Sequence, residues 1–250
     1  MKKKQKYKKN DYLVYGINGC VNIIKSKKIE ILSIDIMESS PAEKKIEIQN
    51  YTRKNKHIVN ILPKDHFLNK YSGIRSQGIV IKLFLSLKNN FPNYKNRDGN
   101  ICLLAIDNLE DPQNLGQIIR TAECTGVDGI LIPKHNSVGI TNTVLQVSQG
   151  AFVNMPIYIS NNLRNDIKTL KNDGFWSVAL ENGVESKRWH EIDLKGKVII
   201  VVGSEGKGIR KLVIKECDFL ATIPMQGKIN SLNVSAATSA ILCERIRQTS

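Results

Sequence analysis

Three stretches in the second half of the chain set polar residues and glycines at the ends of apolar runs, where a side chain or a backbone amide can reach a ligand. The first is Asp107-Asn-Leu-Glu-Asp-Pro-Gln-Asn-Leu-Gly-Gln-Ile-Ile-Arg-Thr-Ala-Glu123. Pro112 and Asn114 fall in its turn, and Arg120 sits inside the run Ile118-Ile119-Arg120-Thr121-Ala122. A guanidinium buried there needs an anion or a carboxylate; the alternative is a solvent-facing arginine on an amphipathic helix. The second is Val201-Val-Gly-Ser-Glu-Gly-Lys-Gly-Ile-Arg210, a glycine-rich turn directly after an apolar strand. Gly208 stands where a Walker A loop needs Ser or Thr after Lys207, and the G-x-x-G-x-G spacing is not the dinucleotide fingerprint G-x-G-x-x-G. Glu205 would repel a phosphate, so an adenosine ribose or a cationic ligand suits the loop better; the plain alternative is an ordinary strand-to-helix turn. The third, Ile223-Pro-Met225 to Ala240, ends a strand and places Ser231 and Asn233 at the start of a small-residue helix. They either cap the helix or mark a place where free N–H groups and close backbone approach hold a small molecule.

The elements that must position these stretches alternate. Ile101–Ile106, Gly129–Ile132, Met155–Ile159, Trp176–Leu180, Lys197–Val202 and Phe219–Ile223 read as strands, with helices at Gly116–Thr125, Thr141–Gln149 and about Asn233–Gln248. Apolar runs between helical patterns predict a parallel sheet covered on both faces. The polar stretch Ser86–Gly99, with Pro, Gly and several Asn, reads as a linker, set at residues 86–99. Before it, a helix at Ile17–Ser26, strands at Ile29–Ile36, His57–Leu62 and Gly78–Phe84, and helical patterns at Pro41–Asn55 and Pro63–Lys70 predict a smaller α/β domain over residues 11–85. Residues 100–250 form the second domain. The Lys-rich residues 1–10 are expected to be a disordered basic arm.

Composition narrows the partner. The 250 residues carry a formal net charge of +14, which favours a polyanion, although abundant Lys, Asn and Ile also follow from AT-rich coding. Hydrophobic residues make up 41%, enough for a sizeable core, and no apolar run approaches a membrane span. The basic start leads into no apolar signal segment. Cys20, Cys102, Cys124, Cys217 and Cys243 are an odd, widely spaced set and read as small core residues in a reducing compartment. His57, His66, His135 and His190 show no ligand spacing, so no metal is expected.

The set Asn114…Arg120, Gly203-Ser-Glu-Gly-x-Gly208 and Ile-Pro-Met…Ser231-Leu-Asn-Val-Ser235 resembles, in order and spacing, motifs 1, 2 and 3 of the SpoU family of RNA ribose methyltransferases. Tyr15-Gly-Ile-Asn-Gly and Gln77-Gly-Ile79 resemble, more weakly, the substrate domain of longer members. The resemblance implies an α/β fold: a C-terminal parallel-sheet methyltransferase domain of the trefoil-knotted SPOUT type, with a smaller, ribosomal protein L30e-like N-terminal domain that binds the substrate RNA. It implies S-adenosylmethionine (AdoMet) as cofactor, held by Gly203, Gly206, Ile223, Met225 and Leu232. It implies functional roles for Asn114, Arg120, Glu205, Ser231 and Asn233, and a homodimer with the active site near the interface; the expected compartment is a bacterial cytoplasm, with an organelle as the alternative. The chain departs from its relatives at Val153-Asn154, where an acidic residue is common. Arg120 is cast in the family as general base; a guanidinium hardly deprotonates, so a fixed cation beside the growing alkoxide is the better role, with the base unassigned. The expected substrate is a guanosine ribose of large-subunit (23S-type) ribosomal RNA. A transfer RNA is the runner-up, followed by a catalytically silent RNA-binding protein and a nicotinamide or flavin enzyme.

Overall fold

In a computed structural model the chain is described at residues 11–182, 186–204 and 206–250. The basic arm expected at residues 1–10 and Glu205 lie outside the described residues. The described residues divide into two units, 11–86 with 141–154, and those from 87–140 with 155–250.

The first unit opens with β1 (Asp11–Tyr15), α1 (Ile17–Ser26), β2 (Glu30–Met37), α2 (Ile46–Lys54), β3 (Val59–Leu62), α3 (Lys64–Lys70) and β4 (Ile79–Phe84). The sheet order is β1-β4-β2-β3; β4 runs antiparallel to both neighbours, and β2 and β3 are parallel. Burial concentrates on β4, where Ile79, Val80, Ile81 and Leu83 are covered, and on the inner faces of α1 and α2 (Cys20, Ile23, Ile48). Asp35 on β2 is buried as well, and Asn60, Lys70 and the Tyr71 hydroxyl all donate to its carboxylate. Burial alone would raise this carboxyl; the donors from Lys70, Tyr71 and Asn60 outweigh it and hold the group below the usual carboxylate range.

The second unit contains β5 (Ile101–Ile106), α4 (Pro112–Cys124) and β6 (Gly129–Pro133). After these, α5 (Asn142–Val147) goes with the first unit. Asn142 Oδ1 accepts from Leu13 N at 2.9 Å, Gln146 Oε1 accepts from Tyr15 N at 2.9 Å, and Gln146 Nε2 donates to Tyr15 O at 2.8 Å. Residues 141–154, expected within the second domain, therefore help build the first unit, because these amides bond the open side of β1. The second unit then continues through β7 (Ile157–Ser160), α6 (Leu163–Asn172), β8 (Trp176–Leu180), β9 (Lys187–Arg188), β10 (Lys197–Val202), α7 (Lys211–Ile214), β11 (Phe219–Thr222) and α8 (Val234–Thr249).

Among the described residues the second unit has one seven-stranded sheet, ordered β7-β6-β5-β10-β8-β11-β9, and its strand pairs are parallel. Every residue of β5 and all of β10 beyond Lys197 is buried, as unbroken apolar runs with both faces covered require. Order reverses between β5 and β10: β6 and β7 extend one way, β8 and β11 the other. A crevice at the carboxyl ends of strands opens at such a point; the loop leaving β5 leads into α4, which carries Asn114, and the loop leaving β10 begins with Gly203. The stretch read as a linker is packed here. Tyr94 is buried against Phe175 and donates its N–H to Asp173, and Lys88 bridges to Tyr158. Aromatic residues spaced among polar ones give no periodic signal, which is why the segment reads as a loop.

Candidate functional site

The loop after β10 folds back on itself with almost no spare room. A Cβ on Gly203 would lie 2.3 Å from the Gly208 carbonyl carbon and 2.5 Å from Ile209 N, so glycine is required. Gly208 N donates to Ser204 O at 2.9 Å, and Gly208 itself has φ +60° with the Glu181 carboxylate pressed against it. Glu181 Oε2 accepts from Ile209 N at 3.1 Å. Arg210 then anchors the loop to the end of β5. Its backbone N–H and Nε each donate to the fully buried Asp107 carboxylate at 2.9 Å, and Nη2 lies 2.6 Å from Oδ1. The geometry is that of a bidentate arginine–carboxylate pair, which adds direction as well as energy. Lys207 also pairs with Glu110, but both side chains are largely exposed and the pair contributes little.

The third stretch meets this loop. Asn233 caps α8 by accepting from Ser235 N at 2.9 Å, and its Nδ2 donates to Asn114 Oδ1 at 3.0 Å. Asn114 stands in the first turns of α4, which starts at Pro112 with Asp111 as its cap, one turn earlier than its periodicity predicts. The Ser235 hydroxyl is within reach of Gln117 Oε1 at 2.8 Å, and the Thr121 and Ser239 hydroxyls are 3.2 Å apart. A ladder of short polar contacts thus aligns α4 with α8.

A cleft of about 250 Å³ lies between these segments. Gly203, Gly206, Ile223, Met225 and Leu232, the five residues expected to hold the cofactor, all line it, and Ser231 joins them. An adjoining cavity of about 320 Å³ is lined by Asn114 and Asn233 and shares Ser204, Gly206 and Lys207 with the cleft. Arg120 lines neither: it is exposed on α4 and makes no ion pair among the described residues. Of the two readings open in the sequence, the solvent-facing arginine is the one found within this chain.

Sequence reasoning missed Asp107, Glu181 and Arg210. Their signal was available: an acid closing the apolar run Ile101–Ile106, an acid directly after Trp176–Leu180, and a cation ending the glycine loop. The cysteines need correction. Cys20 and Cys102 are buried, and burial pushes the Cys102 thiol up to about 12. Cys217 is half-buried and pushed up to about 12, also by burial first. Cys124 and Cys243, however, are exposed on α4 and α8, because neighbouring apolar residues in sequence point to the other side of a helix. Among the described residues no group of His, Cys, Asp or Glu is placed to hold a metal, and no helix is long and apolar enough to cross a membrane.

Residues 102–243 match the family model described as the SpoU rRNA Methylase family. A protein of Staphylococcus saprophyticus assigned to the TrmH family of tRNA/rRNA methyltransferases is 40% identical over 206 residues, covering 81% of this chain and 82% of its own. The 23S rRNA (guanosine-2'-O-)-methyltransferase RlmB of Xylella fastidiosa is 32% identical over 96% of this chain and 98% of its own. Among solved structures, the SpoU methyltransferase AviRb of Streptomyces viridochromogenes, in complex with AdoMet, superposes with a TM-score of 0.79 at 18% identity, covering 96% of this chain and 90% of that one. The α/β architecture with its parallel sheet is thus shared with that SpoU methyltransferase structure.

Proposed function

The chain belongs to the SpoU rRNA methylase family, and from that premise we propose that its cleft binds AdoMet and that it methylates a ribose 2′-hydroxyl of RNA, a guanosine of large-subunit ribosomal RNA. The observation that carries the reading is the cleft itself. Three separate segments supply its lining, Gly203 must be glycine, and Leu232 stays 42% exposed at its edge. Apolar side chains beside bare backbone suit a flat adenine with a ribose and a charged tail. When bound, AdoMet supplies a methyl group already activated by its sulfonium.

The protein's own task is to hold the ribose oxygen in line and to stabilise the charge that grows on it. Asn114 and Asn233, joined by their amides, position the nucleotide, with Ser231 at the cleft and Glu205 assisting. Arg120 supplies the cation. Its exposure favours a homodimer in which the second copy completes the site. The same reading has the C-terminal segment threaded as a trefoil knot, residues 11–85 binding the substrate RNA, and the enzyme working in the cytoplasm. The RlmB relative, aligned along nearly all of this chain, favours ribosomal guanosine; the TrmH-type name of the more similar relative keeps transfer RNA as the second reading.

Calorimetry on the intact protein tests the cofactor: AdoMet should bind, NAD should not, and Gly203→Ala should abolish AdoMet binding. NAD binding with no response to AdoMet would overturn the assignment. Mapping 2′-O-methylation in ribosomal and transfer RNA, with and without the protein, decides the substrate. No change in either RNA would leave a silent RNA-binding protein.

A further inference from the structure

A third cavity, of about 390 Å³, opens at the carboxyl ends of β6 and β7 against the start of α7. Lys134 and His135 come from the segment leaving β6, Arg164 from the first turn of α6, Arg210 from the cap of α7, and Lys211 and Leu212 from its first residues. Asparagines of the 161–165 turn add amides, and among the described residues the lining contains no Asp or Glu. The nearby acids are engaged: Asp107 with Arg210, Glu216 with Arg164, and Asp166 with the Ser160 hydroxyl. Lys134 and Lys211 are exposed and make no ion pair among the described residues.

With Arg164 and Arg210 each offset by one acid, Lys134 and Lys211 leave the lining net positive, which suits an anion. Guanidinium planes and ammonium points are the groups that hold phosphate oxygens. Leu212, 61% exposed at the rim, adds an apolar surface that a ribose can use and a free ion cannot. Position supplies the rest. The single segment 203–213 lines the cofactor cleft with Gly203 and this cavity with Lys211. We infer that this cavity is a phosphodiester subsite, holding the RNA backbone a short way along the strand from the nucleotide at the cleft. The inference rests on the methyltransferase reading for its choice of RNA, and on the cavity for its chemistry.

Binding of a transcribed large-subunit ribosomal RNA fragment by the intact protein, measured across a salt series, tests it. Lys134→Ala with Lys211→Ala removes two exposed groups with little expected effect on folding. The slope of log affinity against log salt should shrink by about 0.7–0.9 for each phosphate that the variant no longer neutralises. Affinity should fall alike for unrelated RNA sequences, while AdoMet affinity and melting temperature stay as they were. Lys134→Glu with Lys211→Glu should weaken RNA binding further, by at least about tenfold. An unchanged slope and affinity would overturn the subsite. So would inorganic phosphate binding that the alanine pair removes without touching RNA affinity, since the cavity would then serve a free anion. Equal loss of AdoMet binding would also overturn it as a separate site. A wild-type protein that methylates no RNA, yet shows a smaller salt slope in the alanine pair, would sink the methyltransferase reading and leave the subsite standing.

Discussion

Asp35 and Arg120 are both charged residues set in apolar stretches of sequence, and the fold treats them in opposite ways. Asp35 is buried on β2 in the first unit with three donors closed around it. Arg120 stands exposed on α4 in the second unit, one face of that helix being tied to α8 while the arginine makes no ion pair among the described residues. A charge whose partners all lie inside the fold bears on stability. A charge held on a well-braced helix with none there is available to whatever the protein meets.

Substitution can break this contrast, most strongly at Arg120. Arg120→Ala is expected to slow single-turnover methyl transfer by about 10²–10³-fold, the scale of one preorganised charge-stabilising group, with melting temperature and AdoMet affinity unchanged. Arg120→Lys should also be slow, because a point charge does not replace a planar fork. Near-normal rates in either folded variant would make Arg120 an ordinary surface residue.

At Asp35 the effect should move to stability. Asp35→Asn is expected to cost about 1–3 kcal/mol at neutral pH, with AdoMet affinity untouched. Its pH dependence has a definite sign. The carboxyl is held below its ordinary value in the folded state, so its contribution is full above the unfolded value near about 4 and is lost as the pH falls through the folded one. Denaturant melts of wild type and Asp35→Asn should therefore differ at neutral pH and converge in acid; a constant difference would show that ionisation of Asp35 is not what the donors stabilise. The smallest effect is expected from Tyr71→Phe, which removes one of the three donors and should cost about 1 kcal/mol in the same melts. A larger loss than Asp35→Asn would place the weight on the ring, which packs against Phe67, and not on the carboxylate.

Much of the second unit was legible because fully buried parallel strands are unbroken apolar runs. Ile101–Ile106, Trp176–Leu180 and Lys197–Val202 read from sequence with the ends they have in the structure. The amphipathic helix Ile17–Ser26 was equally clear. The strand Asp11–Tyr15 was not, since four half-buried residues around a single buried Val14, beside a lysine run, carry too little pattern. Leu163–Asn172 and the two-residue strand Lys187–Arg188 were missed as well. The cleft residues were legible only through a family resemblance; spacing alone left each of the three stretches with an ordinary alternative. What brings Asp107 to Arg210 is the placing of β10 beside β5, a pairing between residues nearly a hundred positions apart, which no local window contains.

The amides of Asn142 and Gln146 also bear on how the chain avoids sticking to itself. β1 is the last strand on its side of the first sheet, and a bare rim of that kind offers backbone N–H and C=O groups to any extended chain that drifts past. Here Leu13 N, Tyr15 N and Tyr15 O are already taken, by two side chains that imitate the rungs of a neighbouring strand. The guard is encoded more than 120 residues downstream of the strand it protects. During synthesis the rim of β1 thus stays open until α5 has emerged, and a truncation after Ser86 leaves it open permanently, a template for aggregation that the full-length chain closes with two glutamine- and asparagine-borne hydrogen-bond sets.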